Sequence, residues 1–253
     1  MVKYIVSTGC SFSDHGFELE NWNTRDPKFN TPEVLNEEGQ QISFTSYGKE
    51  LAELLGAEYI HLAHCGSGID YSIQTLWKWI QDNPDKKDDC ILLFGISLFQ
   101  RQDILIWYDE QGKQSRVNFP NPRVLLKKKD KYEWEVVAEM FRWPLERFRD
   151  FVKFFWEFAF DWDLNRTQRL TGLTTFEAYC KINNIPLVFI STINKDDVKE
   201  HLDLFYFPTG HWSWREYIHS YDSNYNSGHP NTYDHKLLAS HLYDYVKAKF
   251  KKS

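Results

Sequence analysis

Cysteine is scarce in this chain of 253 residues. Its four copies, Cys10, Cys65, Cys90 and Cys180, form no Cys-x-x-Cys pair. That spacing excludes a zinc ribbon and gives no disulfide framework. Scattered thiols on apolar segments suit a reducing compartment. Long hydrophobic runs are also missing. Nothing approaches the roughly 18 apolar residues that span a bilayer, and the opening run Tyr4-Ile5-Val6 is too short for the core of a signal peptide. A cytoplasmic location is therefore expected. Basic charge is outnumbered, with 30 Lys and Arg against 36 Asp and Glu, for a formal net charge of −6. A broad phosphate-backbone footprint needs the opposite balance, so no nucleic-acid partner is expected. The lysines at 127–129 and at 247, 249, 251 and 252 read as a solvated turn and a solvated tail. There is no internal repeat and no low-complexity tract.

Aromatic residues are abundant, at 17%, including 10 Trp and 19 Phe. Such a set serves equally to fill a core, line a sugar site or cover a partner surface.

Short apolar runs alternate with helical spacing along the chain. Tyr4-Ile5-Val6 stops in Ser7-Thr8-Gly9-Cys10-Ser11, the pattern of a buried parallel strand feeding a loop. A polar stretch, 21–43, reads as a long surface loop. A helix is expected from Ser46 to Leu55, closed by Gly56. Strands are expected at Glu58–Ala63, Cys90–Phe94 and Pro186–Ser191, and helices over Tyr71–Gln81, Pro144–Trp162, Thr174–Asn183 and from Thr232 onward. A hairpin is expected around Glu110-Gln111-Gly112-Lys113, and Asn194–Gly228 reads as an aromatic-rich loop. Alternation of this kind predicts an α/β protein: a three-layer, flavodoxin-like parallel sheet with helices on both faces. Ligands of such sheets bind at the carboxyl ends of the strands.

Three of those strand ends carry small-residue loops: Gly9-Cys10-Ser11, Gly66-Ser67-Gly68 and Gly95-Ile96-Ser97. Glycine lets backbone N–H groups approach a substrate closely. Acyl transfer needs a nucleophile, donors for the developing oxyanion, and a base. Ser11 and His229 are the candidates for nucleophile and base, the latter on the loop before the last helix. Each has an alternative. Ser11 also suits a helix N-cap, and Cys10 is either a second nucleophile or a buried thiol. His235, in the first turn of the last helix, is the rival to His229. His61 and His64 lie on a strand and face opposite ways, so no metal site and no cofactor is expected. Arg101 is read either as a substrate-anion contact or as a surface ion pair. A metal-dependent phosphoesterase using Asp14 and the histidines is a further reading.

Taken together, these segments resemble the SGNH (GDSL-type) hydrolases. Gly9-Cys10-Ser11-Phe12-Ser13 is similar to that family's opening Gly-Asp-Ser-x-Ser block, especially in a Gly-Cys-Ser-Phe-Ser/Thr subgroup of phage and bacterial proteins. Asn226-Ser227-Gly228-His229-Pro230 resembles its closing Asp-x-x-His-Pro block. His61 to Gly68 is similar to the second block, and Gly95-Ile96-Ser97 occupies the place of the third, Gly-x-Asn-Asp. The resemblance implies a single domain over 1–253 with a helical, aromatic-rich insertion at about 102–169. It implies a serine esterase or acyl transferase, with Ser11 as nucleophile, His229 as base and Asn226 at the orienting position. Gly66 and Ser97 then serve the oxyanion, and an O-acetyl group on a carbohydrate is the substrate suggested.

The departures from the pattern are Cys10 for aspartate, Ser97 for asparagine and Asn226 for aspartate. Asp222 and Asp234 are alternatives for the orienting acid. A binding or structural protein on the same fold, phage-associated and contacting a virion partner or a second copy through the insertion, is the competing reading. In that case the location is the virion.

Overall fold

A computed structural model describes residues 2–9, 45–63, 67–97, 99, 102–108, 114–119, 144–154, 161–192, 197–206, 210–223, 230 and 232–250. Its strands are β1 (Tyr4–Thr8), β2 (Glu58–His61), β3 (Cys90–Ile96), β4 (Gln102–Tyr108), β5 (Gln114–Phe119), β6 (Leu187–Ser191) and β7 (Phe205–Tyr206). Its helices are α1 (Tyr47–Leu55), α2 (Ile69–Asp82), α3 (Leu145–Phe154), α4 (Trp162–Ile182), α5 (Trp214–Tyr221) and α6 (Thr232–Lys249). The chain divides into two compact units. One is Met1–Leu98 with Gly172–Ser253, and the other is Phe99–Thr171.

Within the first unit, five strands form one sheet in the order β2-β1-β3-β6-β7, and every pairing is parallel. The fold is therefore α/β with the flavodoxin-like order. All seven residues of β3 are buried, because a parallel strand covered on both faces has no side to give to water. One face carries Ile5, Ile91, Leu93, Val188 and Ile190 against Leu51 of α1, Trp214 and Ile218 of α5, and Leu238 and Leu242 of α6. Burying each such side chain contributes roughly 1.5–3 kcal/mol. The other face carries Phe94, whose ring lies 6.3 Å from Phe176 of α4 and 5.3 Å from Phe189. Trp77 of α2 closes that layer at 4.3 Å from Tyr179. Cys90 and Cys180 are buried thiols. Burial, reinforced by the neighbouring Cys90 and Glu177, pushes the Cys180 thiol up to about 12.

The expected caps of α1 are present. Ser46 Oγ accepts from Lys49 N, and Gly56 closes the helix at φ 65° with its N–H directed to Ala52 O and Glu53 O. Two expectations need correction. The helix expected over Thr174–Asn183 begins twelve residues earlier, at Trp162, because Asp161 caps it by accepting from Leu164 N at 2.8 Å. The preceding helix accordingly does not continue to Trp162; it is described over Leu145–Phe154, and Phe155 and Phe158 lie outside the described residues. The stretch 194–228 is not all loop. It contains β7 and α5, and α5 is started by Ser213, which accepts from Glu216 N at 3.1 Å. Ser-x-x-Glu is a capping-box spacing; here the Glu216 carboxylate accepts from Trp212 N at 2.8 Å.

In the second unit β4 and β5 pair antiparallel, from Gln102↔Phe119 to Tyr108↔Gln114. They flank the expected hairpin turn, which itself lies outside the described residues. Among the described residues, no helix is long and apolar enough to cross a membrane.

Helix α1 crosses the sheet at Gly48. A Cβ there would lie 2.9 Å from both Ser7 Cβ and the Tyr59 ring. Helix propensity alone would favour Gly48→Ala by up to about 1 kcal/mol, but overpacking costs about 1–3 kcal/mol. Ser7 Cβ is fixed to β1, which is paired on both sides, and cannot swing away. Gly48→Ala is expected to lower the urea midpoint; a raised midpoint would show that α1 shifts without cost.

Candidate active site

The sheet order reverses at β1. The chain passes from β1 outward to β2 and then returns to β3 on the other side of β1, and ligands of open α/β sheets bind outside the carboxyl ends of strands at such a reversal. The register runs to Thr8↔Phe94, so the chain leaves β1 beside the last residues of β3.

Gly9, the residue that exits β1, has φ 142°, a conformation open to glycine and costly for an L side chain. Its carbonyl accepts from Ser67 Oγ at 2.5 Å. Ser67 is 2% exposed and lies just before Gly68, the N-cap of α2. The Gly68 carbonyl in turn accepts from Ser72 N at 3.3 Å and Ser72 Oγ at 3.1 Å. The end of β3 is tied to β6 by Thr192, whose N and Oγ1 both donate to Ile96 O, at 3.1 and 2.8 Å. Arg215 N donates to Thr192 O at 3.1 Å, which docks the start of α5 on the same edge. Ser97 follows directly after β3 and is 1% exposed. Thr8 Oγ1 is buried and has no hydrogen-bond partner among the described residues. Hydroxyls therefore line this edge, and those of Ser67 and Thr192 donate to carbonyls at the strand ends.

Of the residues singled out from sequence, Ser97 stands at this edge. Gly95 and Ile96, read as loop, belong to β3 itself. Ser11, Cys10, Asp14, His64, Gly66, Arg101, Asn226 and His229 lie outside the described residues. The residues flanking them are informative. Gly9 leads to Ser11, and Ser67 follows Gly66. Pro230 and Thr232, which follow His229, are buried, the latter in the first turn of α6.

That first turn is tied to α1. His235 Nδ1 accepts from Tyr47 N at 3.2 Å, satisfying one of the helix-start donors that α1 leaves without an internal acceptor. His235 is thus engaged in holding α6 to α1. Asp234 is fully buried and accepts from Tyr221 OH at 2.7 Å. Asp222 is also buried, as the C-cap of α5. His61 Nδ1 lies 3.0 Å from Tyr59 OH. Among the described residues, no group of three His, Cys, Asp or Glu side chains is placed to hold a metal ion.

From sequence, Ser67 is named only as part of the Gly66-Ser67-Gly68 loop, and Thr192 is passed over. Neither belongs to a periodic pattern, and the signal for both is positional: a hydroxyl residue just beyond a strand or just before a helix. A cleft of about 230 Å³ at the opposite edge, lined by Val2, Asp88, Asp89, Cys90, Asn184, Pro186 and Phe250, lacks a nucleophile paired with a base.

No family model matches the sequence, and no curated protein matches it. Solved structures that align with it include an acetyl xylan esterase (Est2A) from the rumen bacterium Butyrivibrio proteoclasticus, at 9% identity and a TM-score of 0.44 over 98% of this chain. An active-site mutant of a family two carbohydrate esterase from Clostridium thermocellum aligns at 10% identity and a TM-score of 0.39, again over 98% of this chain. The chain spans 64% of the length of each. Likeness at this level carries no argument about activity, and the fold assignment stands on the strand order itself.

Removing the His235 ring leaves the buried Tyr47 N–H without its acceptor. His235→Ala is expected to cost about 1–3 kcal/mol in denaturant unfolding. An unchanged unfolding free energy would contradict the role assigned to this bond.

Proposed function

We propose that the chain is a serine esterase or acyl transferase, with Ser11 as nucleophile and His229 as general base. The observation that carries this reading is the strand order, whose reversal at β1 marks a ligand-binding edge beside Gly9, two residues before Ser11. In the proposed reaction Ser11 Oγ attacks an ester carbonyl and His229 takes its proton. Asn226 accepts from the other ring N–H and fixes the tautomer, although it stabilises the imidazolium less than a carboxylate would. The N–H groups of Ser11 and Gly66, together with the Ser97 hydroxyl, hold the oxyanion. His229 then protonates the leaving alcohol, and water or another acceptor resolves the acyl-enzyme.

The substrate suggested by the sequence resemblance is a short acyl group, such as acetyl, on a carbohydrate, with Arg101 receiving an anionic part of it. No metal or organic cofactor enters these steps. In this reading the chain is one SGNH-like domain with an insertion at about 102–169. Serine in place of an asparagine donor is expected to slow turnover, since losing one good oxyanion donor costs on the order of 10²–10³ in rate.

The substitutions at Ser97 and Asn226 favour a second reading, a binding or structural protein that keeps the fold without the chemistry.

Intact-mass spectrometry after incubation with a fluorophosphonate separates the two. A single adduct on the wild-type protein, absent in Ser11→Ala and in His229→Ala, is expected. Ser11→Ala should also abolish hydrolysis of aryl acetates while leaving the circular dichroism spectrum unchanged. Folded wild-type protein that takes no adduct would favour the binding-protein reading.

A further inference from the structure

The exit from β1 is held from outside its own strand. Gly9 and Ser67 lie 58 positions apart, yet the Ser67 hydroxyl donates to the Gly9 carbonyl at 2.5 Å in a buried setting. Gly9 sits at φ 142°. Glycine reaches that conformation without steric cost, but it is also the residue with the most alternative conformations to leave for. The hydroxyl supplies the restraint that glycine lacks. A peptide unit is planar, so holding this carbonyl restrains the peptide that leads out of β1.

The donor is itself well anchored. Ser67 abuts Gly68, whose carbonyl receives both the N–H and the hydroxyl of Ser72. Helix α2 is then fixed in the core by Leu76 and Ile80, at 0% and 3% exposure. The same loop carries Gly66, one residue before Ser67.

We infer that Ser67 is a positioning residue. It ties the loop before α2, which carries the proposed oxyanion donor Gly66, to the peptide that leads to the proposed nucleophile Ser11, and so sets their separation. The inference rests on the reading of Ser11 and Gly66 given above. Ser67 itself forms no bond to substrate in it. Its contribution is geometric, and a misplacement of about 1 Å in such a site costs on the order of 10²-fold in rate.

The test is the rate of fluorophosphonate labelling at Ser11, together with kcat and KM for an aryl acetate, in wild type, Ser67→Ala, Ser67→Thr and Leu242→Ala. The last variant is a core truncation that destabilises the fold away from this loop. Ser67→Ala is expected to label on the order of 10²-fold more slowly, with the loss in kcat and KM little changed. Ser67→Thr keeps the hydroxyl and should recover most of the rate, while Leu242→Ala labels as wild type does. Should the alanine variant not fold, Ser67→Cys, which keeps the size but is a poor donor, takes its place with the same expected slowing. A Ser67→Ala rate equal to that of wild type, or slowed only as much as in Leu242→Ala, would overturn the positioning role and leave the Ser11 reading standing. Wild-type protein that does not label at Ser11 would overturn that reading, and the positioning role with it.

Discussion

β1 lies between β2 and β3 with a parallel ladder on each side, and the arrangement of the sheet's carboxyl edge depends on it. A parallel neighbour is reached by a crossover, and crossovers between parallel strands are right-handed. Moving to β2 on one side and to β3 on the other therefore sends the intervening helices to opposite faces. α1 packs with α5 and α6 on one face, while α2 packs with the end of α4 on the other. The two crossovers separate at β1 and β3, where the edge is left open. The tight crossing of α1 over Ser7 and Tyr59 at Gly48 belongs to the same constraint, because a central strand must be covered closely on both faces.

Where the strands end, hydroxyls from distant parts of the chain add bonds to their carbonyls. Ser67 donates to Gly9 O, and Thr192 Oγ1 adds a second bond to Ile96 O, which already accepts from Thr192 N. The first turn of α6 is fixed in a comparable way through His235 and Tyr47, and α6 follows directly on the segment that carries His229. The described residues that flank the proposed chemistry are thus held by bonds between distant parts of the chain. A rigid scaffold of this kind suits a reaction whose rate depends on preorganised donors.

Much of the fold was legible in the sequence. The apolar runs at β1, β3 and β6 announced buried parallel strands, and Ser46 and Gly56 announced both ends of α1. β7 has two residues, too few to show a period, so it passed as loop. The start of α4 was hidden because the aromatic run before it continues a helical spacing past Asp161, and only the cap bond reveals the break. α5 was legible in principle, since Ser213 and Glu216 stand at capping-box spacing, but the surrounding aromatics masked it. The sheet edge was legible only in part, through Gly9 and Ser97 at the ends of β1 and β3, since Gly95 and Ile96, read as loop, belong to β3. The bonds that organise it were not, because the partner of Gly9 lies 58 positions away and no local pattern encodes that pairing.

The proposed chemistry lies at the carboxyl ends of β1 and β3. Its decisive test is a crystal structure of the protein after reaction with a small phosphonate ester. Phosphorus is expected to be bonded to Ser11 Oγ, with the phosphonyl oxygen within hydrogen-bonding distance of the Gly66 N–H and close to Ser97. Phosphorus bonded to another residue, or the reagent seated at the opposite edge near Asp89 and Phe250, would contradict it.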